Sequence, residues 1–408
     1  MGLGFGSKLV SNNKVSTAQI EKNTPKSFIS EVYDKIKENY WDNLSDAQLL
    51  DLFKLSFEKN GGGVFVAKFD SKDKLLNTIS DVTKNMDQDK RNSFVTLLAS
   101  TVLASLNPVS RSGLFTAKAE EQLKNTVDNI NPGKDLYQDL GVEKGASEAA
   151  IEQAYQQKSQ TLAQDQSPES KEKLKEISYA KDVLSNTDTK LRYDQNQVEP
   201  TIFTRVIAPA TLYLQFKKFS PSSLDEFIKA FDSYQDDGKL TSLIFDLRGN
   251  IGGAIDTTAF FLGYFIGKNQ YAFDFYHKGE YLPFKTPTEK LPSVSKYKQV
   301  IILVDQKTQS SAEMLTASFK KYHVGVVVGT KTKGWGTVEK VFPLSNQINP
   351  SEKYSMFLVH SITLRDDNAP IEGRGVEPDV NIENDGWDQQ LFLYFRNPQL
   401  VEATLKVL

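Results

Sequence analysis

The sequence predicts an α+β protein with a helical N-terminal region, a helical hairpin in the middle and a mixed α/β C-terminal half. Apolar residues recur at three-to-four spacing over 27–123 and form single helical stripes over 134–195. From about residue 200, β-rich runs alternate with amphipathic helices. The 408 residues suffice for two or three domains. We therefore predict a flexible N-terminus at 1–26 and domains at 27–130, 134–195 and 200–408.

The helices of the N-terminal region follow from its apolar pattern. Phe28, Val32 and Ile36 lie on one face of the first predicted helix. Ser45 with Gln48 forms a capping-box signature at the start of the second. A small helical bundle is the expected structure.

In the C-terminal half, short apolar runs and longer amphipathic runs alternate. The predicted strands lie within 201–219, 242–249, 299–305, 324–330 and 355–364, and the predicted helices within 223–234, 254–267 and 311–322. Such alternation is typical of a layered α/β core.

Composition excludes several classes of function. The chain has no cysteine, which excludes disulfides, thiolate chemistry and Cys-ligated zinc, and its three histidines are scattered. The 49 basic residues are spread along the chain and matched by 52 acidic ones, for a net charge of −3. We therefore expect no cofactor, no metal site and no nucleic-acid partner.

Targeting signals are also missing from the sequence pattern. Residues 1–14 lack a basic segment followed by an apolar core, so they do not form a signal peptide. The longest apolar stretch, 93–106, is too short and too polar to span a bilayer. We therefore predict a cytoplasmic protein without a membrane span.

Three segments of the C-terminal half carry candidate chemistry. They read SLIFDLRGNIGG at 242–253, VDQKTQSSAEM at 304–314 and GTKTKGWGTVE at 329–339. Together they resemble the C-terminal processing peptidases, or tail-specific proteases, a family of Ser/Lys-dyad serine peptidases. The resemblance implies that Ser310, three residues before Glu313, is the nucleophile. It also places Trp335 where the family has its general-base lysine, and Glu339 where it has a glutamine.

This tryptophan bears directly on activity. A serine hydroxyl is a poor nucleophile without a group that takes its proton, and an indole N–H offers no lone pair. General-base help contributes about 10² to 10⁴ in rate. Lys333 and Glu339 are alternative bases, but the simpler interpretation makes Lys333 a solvated loop lysine and Glu339 a satisfied surface carboxylate. His277, His323 and His360 fall in no family motif and are not assigned a role.

The resemblance also implies an oxyanion hole. Gly252 and Gly253 match a glycine turn that supplies backbone N–H groups in the family, and Ser311 begins a predicted helix whose N-terminus favours an anion. Two simpler interpretations remain open. The glycine pair also suits a plain strand-to-helix turn, and Ser310 also suits a helix N-cap.

Residues 134–195 resemble a J-domain, in the place where the family usually carries a PDZ domain. Tyr137, Leu140, Gly141 and Val142 match its opening, and Arg192, Tyr193 and Asp194 match its end. The active HPD tripeptide is replaced by Ala163, Gln164 and Asp165, and Lys158 is the only cation of the second helix. These departures argue against a heat-shock chaperone partner.

Three functions follow as hypotheses. The first is a serine-peptidase family protein that binds unfolded or extended peptides and is a pseudoenzyme, because its base position is Trp335. The second is an active serine endopeptidase that uses Ser310 with a non-standard base such as Lys333. The third is a J-domain co-chaperone or adaptor scaffold.

Overall fold

The computed structural model describes residues 21–60, 69–207 and 209–408. The N-terminal region is a helical bundle joined to one strand. Its elements are α1 (Pro25–Asn39), α2 (Asp46–Asn60), α3 (Lys72–Thr83), α4 (Gln88–Ser105), β1 (Gly113–Thr116) and α5 (Ala117–Asp128). The predicted capping box is confirmed, since Ser45 N donates to Gln48 Oε1 at 2.9 Å and Gln48 N donates to Ser45 Oγ at 3.2 Å.

The start of the chain differs in part from the prediction. Most of the segment 1–26 lies outside the described residues. Its last two residues, Pro25 and Lys26, already belong to α1. The cause is local: Thr24 caps this helix by accepting from Ser27 N, and proline suits the first helical position.

The middle of the chain folds as a helical unit with its own core. It contains α6 (Leu136–Leu140), α7 (Glu148–Ala163), α8 (Pro168–Ser185) and α9 (Thr187–Asn196). Apolar residues of these helices form one buried cluster that includes Tyr137, Ile151 and Ile177. The helical hairpin expected from the apolar stripes is thus observed, with α7 packed on α8.

A six-stranded sheet organises the C-terminal half. Its strands are β2 (Ile202–Ile207), β3 (Thr211–Phe216), β4 (Ser242–Asp246), β7 (Gln299–Val304), β8 (Val326–Gly329) and β11 (Val380–Asn381), in the order β11-β8-β7-β4-β3-β2. All neighbours pair in parallel except β2 with β3.

Helices cover both faces of this sheet. They are α10 (Ser223–Asp232), α11 (Thr258–Ile266), α12 (Pro292–Ser295), α13 (Ser311–Lys321), α14 (Trp387–Phe395) and α15 (Pro398–Leu405). Phe245 packs towards α10, α11 and α13, whereas its neighbour Ile244 packs towards α14 and α15. Because successive strand residues point to opposite faces, a continuous apolar run such as β4 fits a strand buried on both sides.

A second sheet joins the N-terminal bundle to the C-terminal half. It consists of β1 with β5 (Tyr271–His277), β6 (Glu280–Lys285), β9 (Thr337–Pro343) and β10 (Tyr354–Leu364). β10 is its centre and pairs with β1, β5 and β9 in antiparallel fashion. The bundle core extends onto this sheet through Met356 and Leu358 of β10, and onto the β9–β10 connection through Leu344 and Ile348.

Candidate active site

Ser310 lies in the turn that connects β7 to α13. It holds the N-cap position of α13, as the simpler interpretation expected, but with φ 57° and ψ −126°. A capping serine normally adopts the β region, and a left-handed φ is strained for a residue with a Cβ. The turn therefore holds Ser310 in a conformation that capping alone does not require.

The glycine turn after β4 packs directly against this serine. A Cβ added to Gly252 would lie 2.6 Å from Ser310 Cβ, so only glycine fits there without a shift. Gln309 N donates to Asn250 O at 2.9 Å, and Ser311 Oγ donates to Gly253 O at 3.2 Å. The structure thus brings together two segments that are about sixty residues apart in sequence.

The predicted oxyanion donors need a correction at Gly252. Its N–H donates to Asn250 Oδ1 at 2.8 Å, so it is already used within the turn. Gly253 packs against the backbone of Phe219. A Cβ added to Gly253 would lie 1.9 Å from the carbonyl oxygen of Phe219. Ser311 is the first residue of α13, where the helix itself provides no acceptor for the backbone N–H.

Glu313 connects the serine turn to the segment that contains Trp335. Its carboxylate is fully buried. Oε1 accepts from Thr332 Oγ1 at 2.5 Å and Gly334 N at 2.6 Å, and Oε2 accepts from Ser310 N at 2.9 Å and Trp335 N at 2.8 Å. Burial raises the pKa of Glu313, while these four hydrogen bonds oppose that rise. In the sequence, Glu313 serves only to locate Ser310, because nothing in the surrounding residue pattern indicates that Glu313 is buried.

Trp335 is held on both sides by charged residues. Its Nε1 donates to Glu339 Oε1 at 3.2 Å, and the Arg111 guanidinium lies 3.4 Å from the centre of its ring. Arg111 also pairs with Glu372 at 3.0 Å, and Glu372 accepts from Gly336 N at 2.7 Å. Position 335 therefore holds an anchored indole that donates a hydrogen bond and accepts none.

The two alternative bases differ in their surroundings. Glu339 accepts from both Trp335 Nε1 and Thr337 Oγ1, and burial raises its pKa. Lys333 is exposed, and its ammonium has no ion pair or hydrogen bond to Ser310 in the described part of the chain. Lys333 is thus an exposed loop lysine, as the simpler interpretation expected. Glu339 has hydrogen-bond partners, but it is partly buried and not the surface carboxylate that this interpretation expected.

The histidines form no part of the serine site. His277 and His360 stack with ring centres 4.3 Å apart, and His277 Nδ1 contacts His360 O at 2.5 Å. His360 lies inside β10 at a bulge, and His323 is exposed between α13 and β8. Within the described ranges, no group of three or more possible metal ligands occurs.

Residues 163–165 lie at the end of α7 and in the loop that leads to α8, whose N-cap is Ser167. Ala163 ends α7 and Gln164 follows it. The Asp165 carboxylate accepts from Ser167 N at 2.9 Å, from Ser167 Oγ at 2.8 Å and from Ser170 Oγ at 2.6 Å. This aspartate is therefore bound to the start of α8.

None of the described helices is long and apolar enough to cross a membrane.

Comparison with known proteins agrees with this architecture. Residues 210–382 match the model of peptidase family S41, and residues 135–194 match that of the DnaJ domain. A probable CtpA-like serine protease of Staphylococcus epidermidis is 30% identical over 169 residues, which are 41% of this chain and 33% of the relative. A carboxy-terminal-processing protease of Bartonella bacilliformis is 25% identical over 171 residues, covering 42% of this chain and 37% of the relative. The chain thus spans little more than a third of these curated relatives.

A solved structure extends the likeness in fold. The photosystem II D1 C-terminal processing protease superposes with a TM-score of 0.50 at 12% identity, covering 88% of this chain and 93% of that one. The helical N-terminal region and the sheet-rich C-terminal core resemble that enzyme. The C-terminal core is thus similar to peptidase family S41 and to CtpA-like proteases, and the segment before it is similar to the DnaJ domain.

Proposed function

We propose that this protein binds unfolded or extended peptide segments at the Ser310 turn and has lost most or all of the hydrolysis typical of its relatives. One observation carries the proposal. Trp335 fills the base position and is fixed there by Glu339 and Arg111, so Ser310 has no proton acceptor from that position. The intact glycine turn beside Ser310 supports retained peptide binding.

The test measures cleavage of unfolded casein by the wild type, by Trp335→Lys and by Trp335→Lys/Glu339→Gln. The second substitution matters because Glu339 would pair with a lysine at position 335 and keep it protonated. We expect no cleavage by the wild type, little by the single variant and the most by the double variant. Ser310→Ala in the double-variant background should abolish that cleavage.

Binding is measured separately, by the fluorescence anisotropy of labelled unfolded casein. We expect the wild type and Ser310→Ala to bind equally, because the hydroxyl contributes to chemistry rather than to affinity. Wild-type cleavage that Ser310→Ala removes would disprove the proposal. An active endopeptidase with Glu339 or Lys333 as the base would then replace it.

A co-chaperone or adaptor is the second candidate, supported by the DnaJ match at 135–194. The loop 163–165 weakens it, since the Asp165 carboxylate is hydrogen-bonded to Ser167 and Ser170 and the other two tripeptide positions are Ala163 and Gln164. Stimulation of a seventy-kilodalton chaperone ATPase by the purified protein would favour this candidate. A cytoplasmic location is part of our proposal and is tested by cell fractionation.

A further inference from the structure

Helix α14 exposes large apolar side chains to solvent. Phe392, Leu393 and Tyr394 are 41%, 73% and 54% exposed, on a helix of nine residues. Leu391 is buried and belongs to the core cluster between α14 and the six-stranded sheet. A helix on the surface of a protein normally turns polar residues outwards, so an apolar outer face is typical of a surface that binds a partner.

Opposite charges flank this apolar face. Asp388 lies four residues before Phe392 and shares its helical face, and Arg396 lies four residues after it, at the end of the helix. Neither Asp388 nor Arg396 forms an ion pair or a side-chain hydrogen bond within the part of the chain that the structure describes. An acid at the start and a base at the end also suit the helix dipole, so the test below must separate the two explanations.

The order of acid, apolar residue and base is complementary to itself. When two copies of α14 lie antiparallel about a twofold axis near Phe392, Arg396 of each copy faces Asp388 of the other. Both charge pairs form together, because a contact in a twofold interface always occurs twice. Phe392 and Leu393 then meet the same residues of the second copy and leave water. An antiparallel pair also brings opposite ends of the two helix dipoles together.

We propose that the exposed face of α14 binds α14 of a second copy of this chain and forms a twofold homodimer. The charge pattern selects this occupant, since the two flanking charges of one copy match those of the other in antiparallel order and repel in parallel order. One short helix supplies less contact than the about 800 Å² per partner of a standard interface. The dimer is therefore weak, and its population rises with protein concentration.

The surface lies on the other side of the sheet from the serine turn. Leu391 of α14 packs with Ile244 on one face of the six-stranded sheet. Met314 and Phe319 of α13, the helix that follows Ser310, pack with Phe245 on the opposite face. The inference is therefore independent of peptide binding or hydrolysis at Ser310.

The test measures the molar mass of the full chain by sedimentation equilibrium over a range of protein concentrations. We expect a reversible monomer–dimer equilibrium for the wild type. Arg396→Asp sets an acid against Asp388 of the second copy, and Asp388→Arg sets a base against its Arg396, so each variant alone should associate at least tenfold more weakly. An equimolar mixture of the two variants should recover the dimer, because each contact then pairs an acid with a base. The helix dipole alone predicts no such recovery.

Leu393→Asn should also weaken the dimer at least tenfold. Leu55→Asn is the matched control and should leave it unchanged, because Leu55 is 60% exposed on α2, in the N-terminal bundle. A wild type that is monomeric at every concentration would overturn the proposal, and so would a mixture of the two charge variants that is no more dimeric than either variant alone. If the monomeric wild type instead cosediments with vesicles of phosphatidylcholine and phosphatidylserine, the exposed face of α14 belongs to a membrane contact.

Discussion

A single carboxylate fixes the geometry of the serine turn. Glu313 accepts from the backbone of both Ser310 and Trp335, and from Thr332 and Gly334. It therefore maintains the strained φ of Ser310 even though Trp335 offers no base. The turn around Ser310 is thus held in place by Glu313 with Trp335 at position 335.

Replacing this carboxylate should cost stability. In Glu313→Gln, one oxygen that accepts two hydrogen bonds becomes an NH₂ group, which faces donors in a buried site. We expect the free energy of unfolding to fall by about 2–4 kcal/mol, as measured by urea denaturation. Glu377→Gln is the control, since Glu377 is exposed and pairs only with Lys331, and it should change stability by less than about 1 kcal/mol. Equal losses in the two variants would contradict this account of Glu313.

At the scale of elements, β10 brings separate parts of the chain to the site. It pairs with β1 from the bundle and with β9, which carries Glu339. The segment just before β1 carries Arg111, whose guanidinium stacks on Trp335. A residue of the N-terminal region thus completes the surroundings of a C-terminal site.

A pH dependence follows from the histidine pair on this sheet. Burial, together with Lys340, His277 and Lys278, lowers the pKa of His360 from 6.5 to about 4. The unfolded chain therefore binds a proton at a higher pH than the folded chain. The contribution of neutral His360 to the free energy of unfolding is complete above about pH 6.5. It falls as the pH drops towards 4 and changes little below that.

The measurement is urea unfolding of the wild type and His360→Phe between pH 7 and pH 4. Phenylalanine keeps an aromatic ring beside His277 but cannot titrate. We expect the variant to lose less stability than the wild type over this range. An identical decline in both proteins would contradict the assignment to His360.

The sequence predicted the elements whose patterns are local. β4, β7 and β8 are short apolar runs, α10 and α13 have amphipathic spacing, and α11 is an almost continuous apolar run. The β5–β6 hairpin was missed because β6 is an exposed edge strand without an apolar run. β9 is not predicted, because its first residues, 337–339, fall within the third motif segment, 329–339.

The site was predictable as far as the motifs extend. Gly252 packs against Ser310, and the backbone N–H groups of Ser310 and Trp335 donate to the same carboxylate, that of Glu313. The roles that the resemblance implies for these residues stay predictions. Arg111 and Glu372 were not foreseen, because their roles depend on long-range packing. The use of the Gly252 N–H by Asn250 also depends on the detailed turn, which no spacing reveals.

At the scale of the whole molecule, a partly buried ion pair joins the J-like unit, which consists of helices α6 to α9, to the C-terminal core. Glu226 on α10 is almost fully buried and pairs with Arg192 on α9 at 2.8 Å. It also accepts from Thr201 N and Ile202 N, where the chain enters the core. We infer that the unit moves with the core rather than as a free arm.

Removing this arginine should loosen the attachment. Arg192→Met keeps the aliphatic stem but leaves Glu226 buried without its cation, so we expect a loss of about 2–4 kcal/mol in urea unfolding. Lys229→Met is the matched control on the same surface. Lys229 pairs with Asp188 and Asp225 while exposed, so its loss should cost less than about 1 kcal/mol. A larger loss in the control than in Arg192→Met would refute the assignment.

The position of β10 also has a consequence for how the chain matures on the ribosome. Ser112 Oγ accepts from Val359 N across 247 residues of sequence, and the bundle core needs Met356 and Leu358. The N-terminal helices are therefore synthesised long before the strands that complete their core. Closing so long a loop is slow, and the nascent bundle exposes apolar surface until nearly the whole chain has emerged. Chains truncated before β10 should aggregate rather than persist as a folded bundle.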